Sequence, residues 1–477
     1  MTAVDPIDCV RSGLAAGRSV ILIPKGTYEL DTREGVYFDI RGVSDAVIDF
    51  QGSRLNGVRR TRMFGLTDAT NVVIRNVTVD YARLPFAQGV IEKVDAETNW
   101  VVRIISGYPC PDEAELKRLT WPVQVYDAKT LELKNPMRYP NAQVVRTGPD
   151  TYRVTGGKDR RGAVGDYCVW SIQDANNVRD AFGLSRCVGC RLENITVYST
   201  PMGCAFSEGS CTSNAYVNCR LVRCPEADDC VRRGFRRLRS GNHDAFNARR
   251  DYVGPTLDRC DFEYHCDDNV NISGFYSVIT RVDGNRVRIL PYGGRLSIDV
   301  RDICQVMTAD GRIPPDVTVV AIAEDAPTTD EERRQIEKWN FTHGIGNSLR
   351  KAWLLTLDRP VDFAAGSCII SNRRQGNGFR IVNSHFGSTR ARGLLIKASD
   401  GLIENNVIEK ACGSGIAISP EFCWLEGGSS RNLTIRGNVL RGNGGGIFIG
   451  GTSGAGRPLG PEAHEGIRLE NNEIIGR

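Results

Sequence analysis

Asp244 and Asp268 stand 24 residues apart at the head of two similar tetrapeptides, Asp244-Ala245-Phe246-Asn247 and Asp268-Asn269-Val270-Asn271, and Asp267 directly precedes the second. If the chain coils so that these tetrapeptides stack as neighbouring strands, their aspartates lie about 4.8 Å apart. Like charges at that spacing repel unless they share a proton, a cation or a water. Asp267 leaves the same bend in another direction, so three carboxylates converge with more than one environment. Such a cluster can present a neutral acid and an ionised base at one pH, the pair that glycosidic bond hydrolysis requires. His243 and His265 precede the acids by one or two positions, and Arg392 offers a bidentate donor to sugar hydroxyls or a carboxylate. Two plainer readings use the same residues. Asp and Asn are common turn formers, so a stacked ladder of them can be structural, and acids alone can hold calcium. Taken singly, His243 and His265 are as readily packing or loop residues as catalytic ones.

The elements that would position these acids are visible as a repeat. Val72–Val79 resembles Leu192–Val197; Ile381–Phe386 is echoed by Ile403–Ile408, Leu433–Leu440 and Ile467–Ile474, each with an Asn or Gly at a bend. A second slot of alternating apolar residues reads Gly203-Cys204-Ala205-Phe206, Gly393-Leu394-Leu395-Ile396, Gly415-Ile416-Ala417-Ile418 and Gly446-Ile447-Phe448-Ile449. The 22 residues from Gly393 to Gly415 are one coil of a parallel β-helix, in which no rung buries its inner face alone and rungs must stack. Aligned on this slot, Asp244 and Asp268 replace the leading glycine, and Arg392 falls just before it.

The reading is an all-β chain, a right-handed parallel β-helix with an N-terminal cap helix and two small β-rich, barrel-like insertions. Asp5–Ala16 is the amphipathic cap over the open end of the coil, followed by Val20–Ile23 as first strand. Residues 1–81 are the cap and first rungs, 82–168 the first insertion and 169–274 the central rungs with the aspartates. Residues 275–372 are the second insertion and 373–477 the last rungs. Thr328–Trp339 within the second insertion reads as a helix opened by Thr329.

Composition bounds the rest. The chain has 477 residues, 61 Lys+Arg against 57 Asp+Glu, a formal net charge of +4 and no long apolar run. Near-balanced charge argues against a nucleic-acid stripe or a polybasic membrane patch, so no nucleic acid and no membrane are expected as partners. The first residues carry neither a basic segment nor an apolar one, so no signal peptide is read. Sixteen cysteines include one Cys187-x-x-Cys190 with no second pair, which disfavours zinc there. Small buried thiols are the leading reading, ahead of disulfides.

Gly241-Asn242-His243-Asp244-Ala245, then the run from Gly254 through His265-Cys266-Asp267-Asp268-Asn269 to Gly274, resembles the central block of glycoside hydrolase family 110. Arg390-Ala391-Arg392-Gly393-Leu394-Leu395-Ile396 and Trp424-Leu425-Glu426-Gly427-Gly428 are similar to its later motifs. That family comprises inverting exo-α-1,3-galactosidases with the β-helix fold and two insertions. The resemblance implies Asp267 as the general acid, with Asp244 and Asp268 holding and deprotonating the attacking water. His243, His265, Asn271, Arg392, Trp424 and Glu426 are expected to line the sugar pocket, Trp424 either stacking on the galactose ring or packing. No cofactor and no metal are expected. The partner is an oligosaccharide or glycan, a homodimer is one assembly allowed, and a periplasmic or secreted site suits such a substrate.

Two rivals remain from other classes. A polygalacturonase-like inverting hydrolase of polyuronides shares the Asp and Asp-Asp spacing, but its Gly-His-Gly is absent and Arg392 and Lys397 stand at the wrong spacing for its Arg-x-Lys. The run Arg232, Arg233, Arg236, Arg237 and Arg239 would suit a polyuronide cleft, although a charge run is usually a solvated loop. The other rival is a non-enzymatic β-helical carbohydrate-binding protein, which has no need of three acids on two rungs.

Overall fold

The computed structural model describes residues 5–32, 35–96, 99–116, 123–134, 143–155, 162–172, 180–339, 349–454 and 456–476. Two parallel sheets run the length of a coil. One has seventeen strands in two columns, for example Arg191–Val197, Ala215–Val217, Thr256–Asp258 and Arg380–Val382. The other carries Val36–Arg41, Arg62–Thr67, Phe182–Ser185, Phe206–Gly209, Phe246–Arg249, Val270–Phe275, Leu394–Lys397, Ser414–Ile418 and Gly445–Ile449 in that order.

The sequence dictates both the bends and the filling. Asn76, Asn194, Asn218, Asn383, Asn405 and Asn471 all sit at left-handed φ between 51° and 59°, a conformation Asn tolerates better than most side chains. Their amides stack along the coil, Asn194 Nδ2 donating to Asn76 Oδ1 at 2.9 Å and Asn218 Nδ2 to Asn194 Oδ1 at 2.8 Å. Inside, Phe38, Phe64, Phe182 and Phe206 form a column with ring centroids 4.6, 4.7 and 5.3 Å apart. The offset-stacked range favours such spacing.

The cap helix spans Pro6–Ala15. Asp5 caps it by accepting from the Ile7 N–H, and it buries Pro6, Val10 and Gly13. Gly13 is needed for the close approach: a Cβ there would lie 2.8 Å from the Ile21 side chain.

The two interruptions differ. The segment after Tyr81 forms a six-stranded antiparallel sheet curved into a half-barrel. Ser277–Asp283, Arg286–Pro291, Ala352–Leu357, Val317–Asp325, Ile303–Met307 and Cys368–Ser371 do close into a barrel. Within it the helix is Asp330–Ile336, shorter than expected but opened by Thr329 in a capping box with Glu332.

The arginine run is solvated only in part, with Arg232 and Arg236 exposed. Arg237 and Arg239 are buried. Arg237 pairs with Asp80 at 2.9 Å and Asp229 at 2.7 Å, while Arg239 donates to Gln124, Ser171, Asn242 and the Val169 carbonyl. A charge run alone gives no view of the acids and carbonyls that the coil and the first insertion supply to it. All sixteen cysteines are free thiols, most of them buried.

Candidate active site

Strand register assembles the site. Phe246 pairs with Val270 and Val270 with Leu394. Two residues earlier the row continues as Asp244, Asp268 and Arg392, held by Ala245 N–H to the Asp268 carbonyl at 3.1 Å and Asn269 N–H to the Arg392 carbonyl at 3.1 Å. The aspartates therefore align with Arg392 and Cys204, not with the leading glycines Gly393 and Gly203. The expected alignment was one residue out. In the extended parts of the coil a one-residue slip exchanges the faces, so the register must be fixed by the strands and not by the glycines.

Asp244, Asp267 and Asp268 each place one carboxylate oxygen within 4.8 Å of the others. They line a cleft of about 550 Å³ with His243, Asn271, Arg392, Trp424 and Glu426, a size typical of small-molecule sites. His265 is not in this cleft. It is fully buried behind it, with Nδ1 3.1 Å from the His243 carbonyl and Nε2 2.7 Å from Asn269 Oδ1. Burial holds its pKa down at about 4. Its place in the stacked ladder, bridged to Thr389, makes it a spacer for the bend that carries His243.

The three acids have distinct surroundings. Asp244 accepts from Asn247 Nδ2 at 2.5 Å and from the Asp268 N–H at 3.2 Å, with His243 Nδ1 at 3.5 Å. Burial opposes its ionisation, but His243, Asn247 and Arg249 outweigh burial and hold it at about 2. Asp268 lies in the fork of Arg392, and burial pushes it upward against that attraction. Asp267 pairs with Arg390, Nη2 donating to Oδ1 at 2.6 Å. Burial and repulsion from Asp244 and Asp268 push its carboxyl well above the usual range, against Arg392. The cluster thus pairs a carboxyl held low with one pushed upward.

The far wall comes from the Pro420–Gly427 turn and the barrel. Glu421 accepts from Arg392 Nη1 at 2.6 Å and pairs with Lys397 at 3.0 Å. Burial raises the Glu421 carboxyl, but Lys397 and Arg392 bring it down to about 2. Glu426 accepts from Lys397 and, at 3.2 Å, from Asn271 Nδ2. Trp424 is 42% exposed at the rim. The barrel segment contributes Tyr292 to the same lining, its ring 4.6 Å from that of Phe275.

Sequence reasoning missed Glu421, Arg390, Asn247, Arg249 and Tyr292 as cleft residues. Asn247 and Arg249 were within reach, since they follow Asp244 on its own strand. Glu421 lies outside the repeat and Tyr292 in an insertion, where no rung pattern predicts direction.

The family description "Right handed beta helix region" matches residues 365–474. Across 460 residues the chain is 24% identical to α-1,3-galactosidase B of Bacteroides thetaiotaomicron, covering 89% of this chain and 70% of that protein. The chain is a relative of a known α-1,3-galactosidase. Among solved structures it is similar to the catalytic unit of a GH87 α-1,3-glucanase from Streptomyces thermodiastaticus, at a TM-score of 0.36 and 12% identity over 99% of this chain. The chain spans about half, 49%, of that structure. A surface adhesin of Streptococcus pneumoniae, PfbA, aligns at a TM-score of 0.29 and 10% identity, over 98% of this chain and 86% of that one. The galactosidase similarity covers both the aspartate-bearing rungs and the interruptions, and it agrees with the resemblance carried by the central block.

Proposed function

We propose that this protein is a glycoside hydrolase that removes terminal α-linked galactose, of the α-1,3 type, from glycans. The observation that carries this reading is the meeting of Asp244, Asp267 and Asp268 in one cleft, their oxygens within 4.8 Å, with the Asp244 carboxyl held low and the Asp267 carboxyl pushed up. Asp267 protonates the glycosidic oxygen while the bond to the anomeric carbon breaks. Asp244 takes the proton of a water that attacks that carbon from the opposite face, and Asp268 holds the same water while Arg392 fixes its carboxylate. Trp424 and Tyr292 offer faces to the apolar side of the ring.

Attack by water inverts the anomeric centre. A second reading, retention through a glycosyl-enzyme ester on Asp244, is favoured by the short spacing of the acids, since inverting pairs usually stand about 6.5–9.5 Å apart and retaining pairs about 5–5.5 Å. Proton NMR of the anomeric signals during hydrolysis of α-1,3-galactobiose separates the two. Early β-galactose, lost in Asp267→Asn, supports inversion; early α-galactose supports retention; no release, with cleavage of polygalacturonate instead, overturns the galactosidase reading.

A further inference from the structure

Cys204 occupies the Asp244 row one rung earlier, since Phe206 pairs with Phe246 and the Ala205 N–H donates to the Asp244 carbonyl at 3.3 Å. Its thiol is buried, with Sγ 3.7 Å from His243 Nδ1. The same nitrogen lies 3.5 Å from Asp244 Oδ1. One donor atom from each of the three residues lies within 4.8 Å of the others.

Those separations are the edges of a coordination tetrahedron. Bonds of about 2.3 Å to a thiolate and about 2.0–2.1 Å to an imidazole or carboxylate, at the tetrahedral angle, set donor atoms about 3.3–3.6 Å apart. Both distances from Nδ1 agree with that within about 0.2 Å, the tolerance of a real site. A sulfur, a nitrogen and a single oxygen suit zinc and not calcium or magnesium, which take oxygen cages. His243 lines the cleft, so a cation reaches the site from solvent.

We propose that Cys204, His243 and Asp244 bind a thiophilic divalent cation of the zinc type, its fourth position open to the cleft, and that its binding stops hydrolysis. The thiol releases its proton to solvent on binding, and the imidazole binds as the neutral base through Nδ1. Burial and the carboxylates of Asp180 and Asp244 hold the thiol protonated in the absence of a cation; a dication reverses that repulsion. Arg249 is the charge that opposes it. Once a ligand, the Asp244 carboxylate no longer serves as base. The inhibitory half rests on the reading of Asp244 given above; the binding half does not.

The test is a titration of the wild-type protein and of Cys204→Ser with Co²⁺, followed by Zn²⁺ inhibition of galactoside hydrolysis. The wild type is expected to show a near-ultraviolet thiolate-to-cobalt charge-transfer band saturating at one equivalent, displaced by Zn²⁺ and missing from Cys204→Ser. The variant should lose at least about tenfold in Zn²⁺ sensitivity, the low end of what altering a metal site costs, while keeping its basal rate. Absence of the band in the wild type, or its persistence in Cys204→Ser, overturns the site. A band with undiminished hydrolysis at saturating Zn²⁺ overturns the inhibition. If the protein cleaves no galactoside at all, the spectra still decide the binding. Should Cys204→Ser not fold, anomalous scattering from wild-type crystals soaked in Zn²⁺ decides instead, a peak among the three side chains supporting the site and its absence overturning it.

Discussion

Arg392 reaches back one rung to grip Asp268, its Nε and Nη2 each donating to a carboxylate oxygen at 2.9 Å and its own N–H donating to Oδ1 at 2.9 Å. Its remaining arm goes forward to Glu421. One guanidinium therefore ties the acid cluster to the turn that forms the far wall. A lysine has no planar fork to hold both sides. Arg392→Lys is expected to lower kcat/KM on α-1,3-galactobiose by about 10²-fold or more, with the fall mainly in kcat. A variant within about twofold of wild type would remove Arg392 from the mechanism.

The role of Asp267 as acid predicts a leaving-group dependence. A departing sugar alkoxide needs a proton, whereas a nitrophenolate does not. Asp267→Asn should therefore lose about 10²–10⁴-fold on α-1,3-galactobiose and far less on an aryl α-galactoside. Equal losses on both substrates would mean that Asp267 acts elsewhere in the reaction.

The same assignment fixes the sign of the pH profile. Asp244 must be ionised and is held at about 2, so the acid limb of kcat/KM should lie far below neutrality. Asp267 must be protonated and is raised by burial and its two neighbouring aspartates, so activity should fall as pH rises through that raised value. Residual activity of Asp267→Asn on an aryl galactoside should show no alkaline limb. Survival of the limb in that variant would assign it to another group.

Away from the cleft, Arg237 and Asp80 are both wholly buried and paired at 2.9 Å. Arg237→Ala leaves the Asp80 charge with Arg54, at 2.8 Å, the Ser199 hydroxyl and the Tyr81 N–H. A loss of about 3–5 kcal/mol in unfolding free energy is expected, measured by denaturant melts. A loss below about 1 kcal/mol would show that Arg54 suffices.

His385 sits on the outer face between Asp261 at 2.8 Å and Glu409 at 3.4 Å, and the hydrogen bond to Asp261 raises its pKa above 6.5. A raised histidine stabilises the fold below its unfolded value, and that contribution disappears as pH rises through the folded one. The gap in Tm between the wild type and His385→Asn should thus be widest near pH 5 and close on the alkaline side. A gap that does not change with pH would refute the ion pair as its source.

The rungs were legible because each repeats the same demand: an apolar pair inward, and an Asn or Gly where φ turns positive. The aspartates were legible from the one-rung spacing of Asp244 and Asp268, with Asp267 beside the second. What escaped has a common cause, namely partners supplied by segments that obey no rung. Arg237 reads as one of five arginines until Asp80 is placed against it, and Glu421 reads as a loop acid until Lys397 and Arg392 meet it. The one-residue error at Gly393 arose from aligning on glycines, which mark close contacts: a Cβ at Gly393 would stand 2.3 Å from the Gly415 carbonyl oxygen. Glycine there reports crowding between rungs and not which residue is level with Asp268.

The bond between Asp268 and Arg392 spans 124 residues of chain, most of them in the closed barrel. On a ribosome adding about 5–20 residues per second, Arg392 is made of order 6–25 s after Asp268. Throughout that interval the strand Val270–Phe275 has no successor rung and the carboxylates no counter-ion from Arg392. The barrel closes within its own stretch of sequence, so it can complete first and carry the chain back to the waiting edge. Birth order of the segments thus makes the cluster of aspartates among the last features of the molecule to become complete.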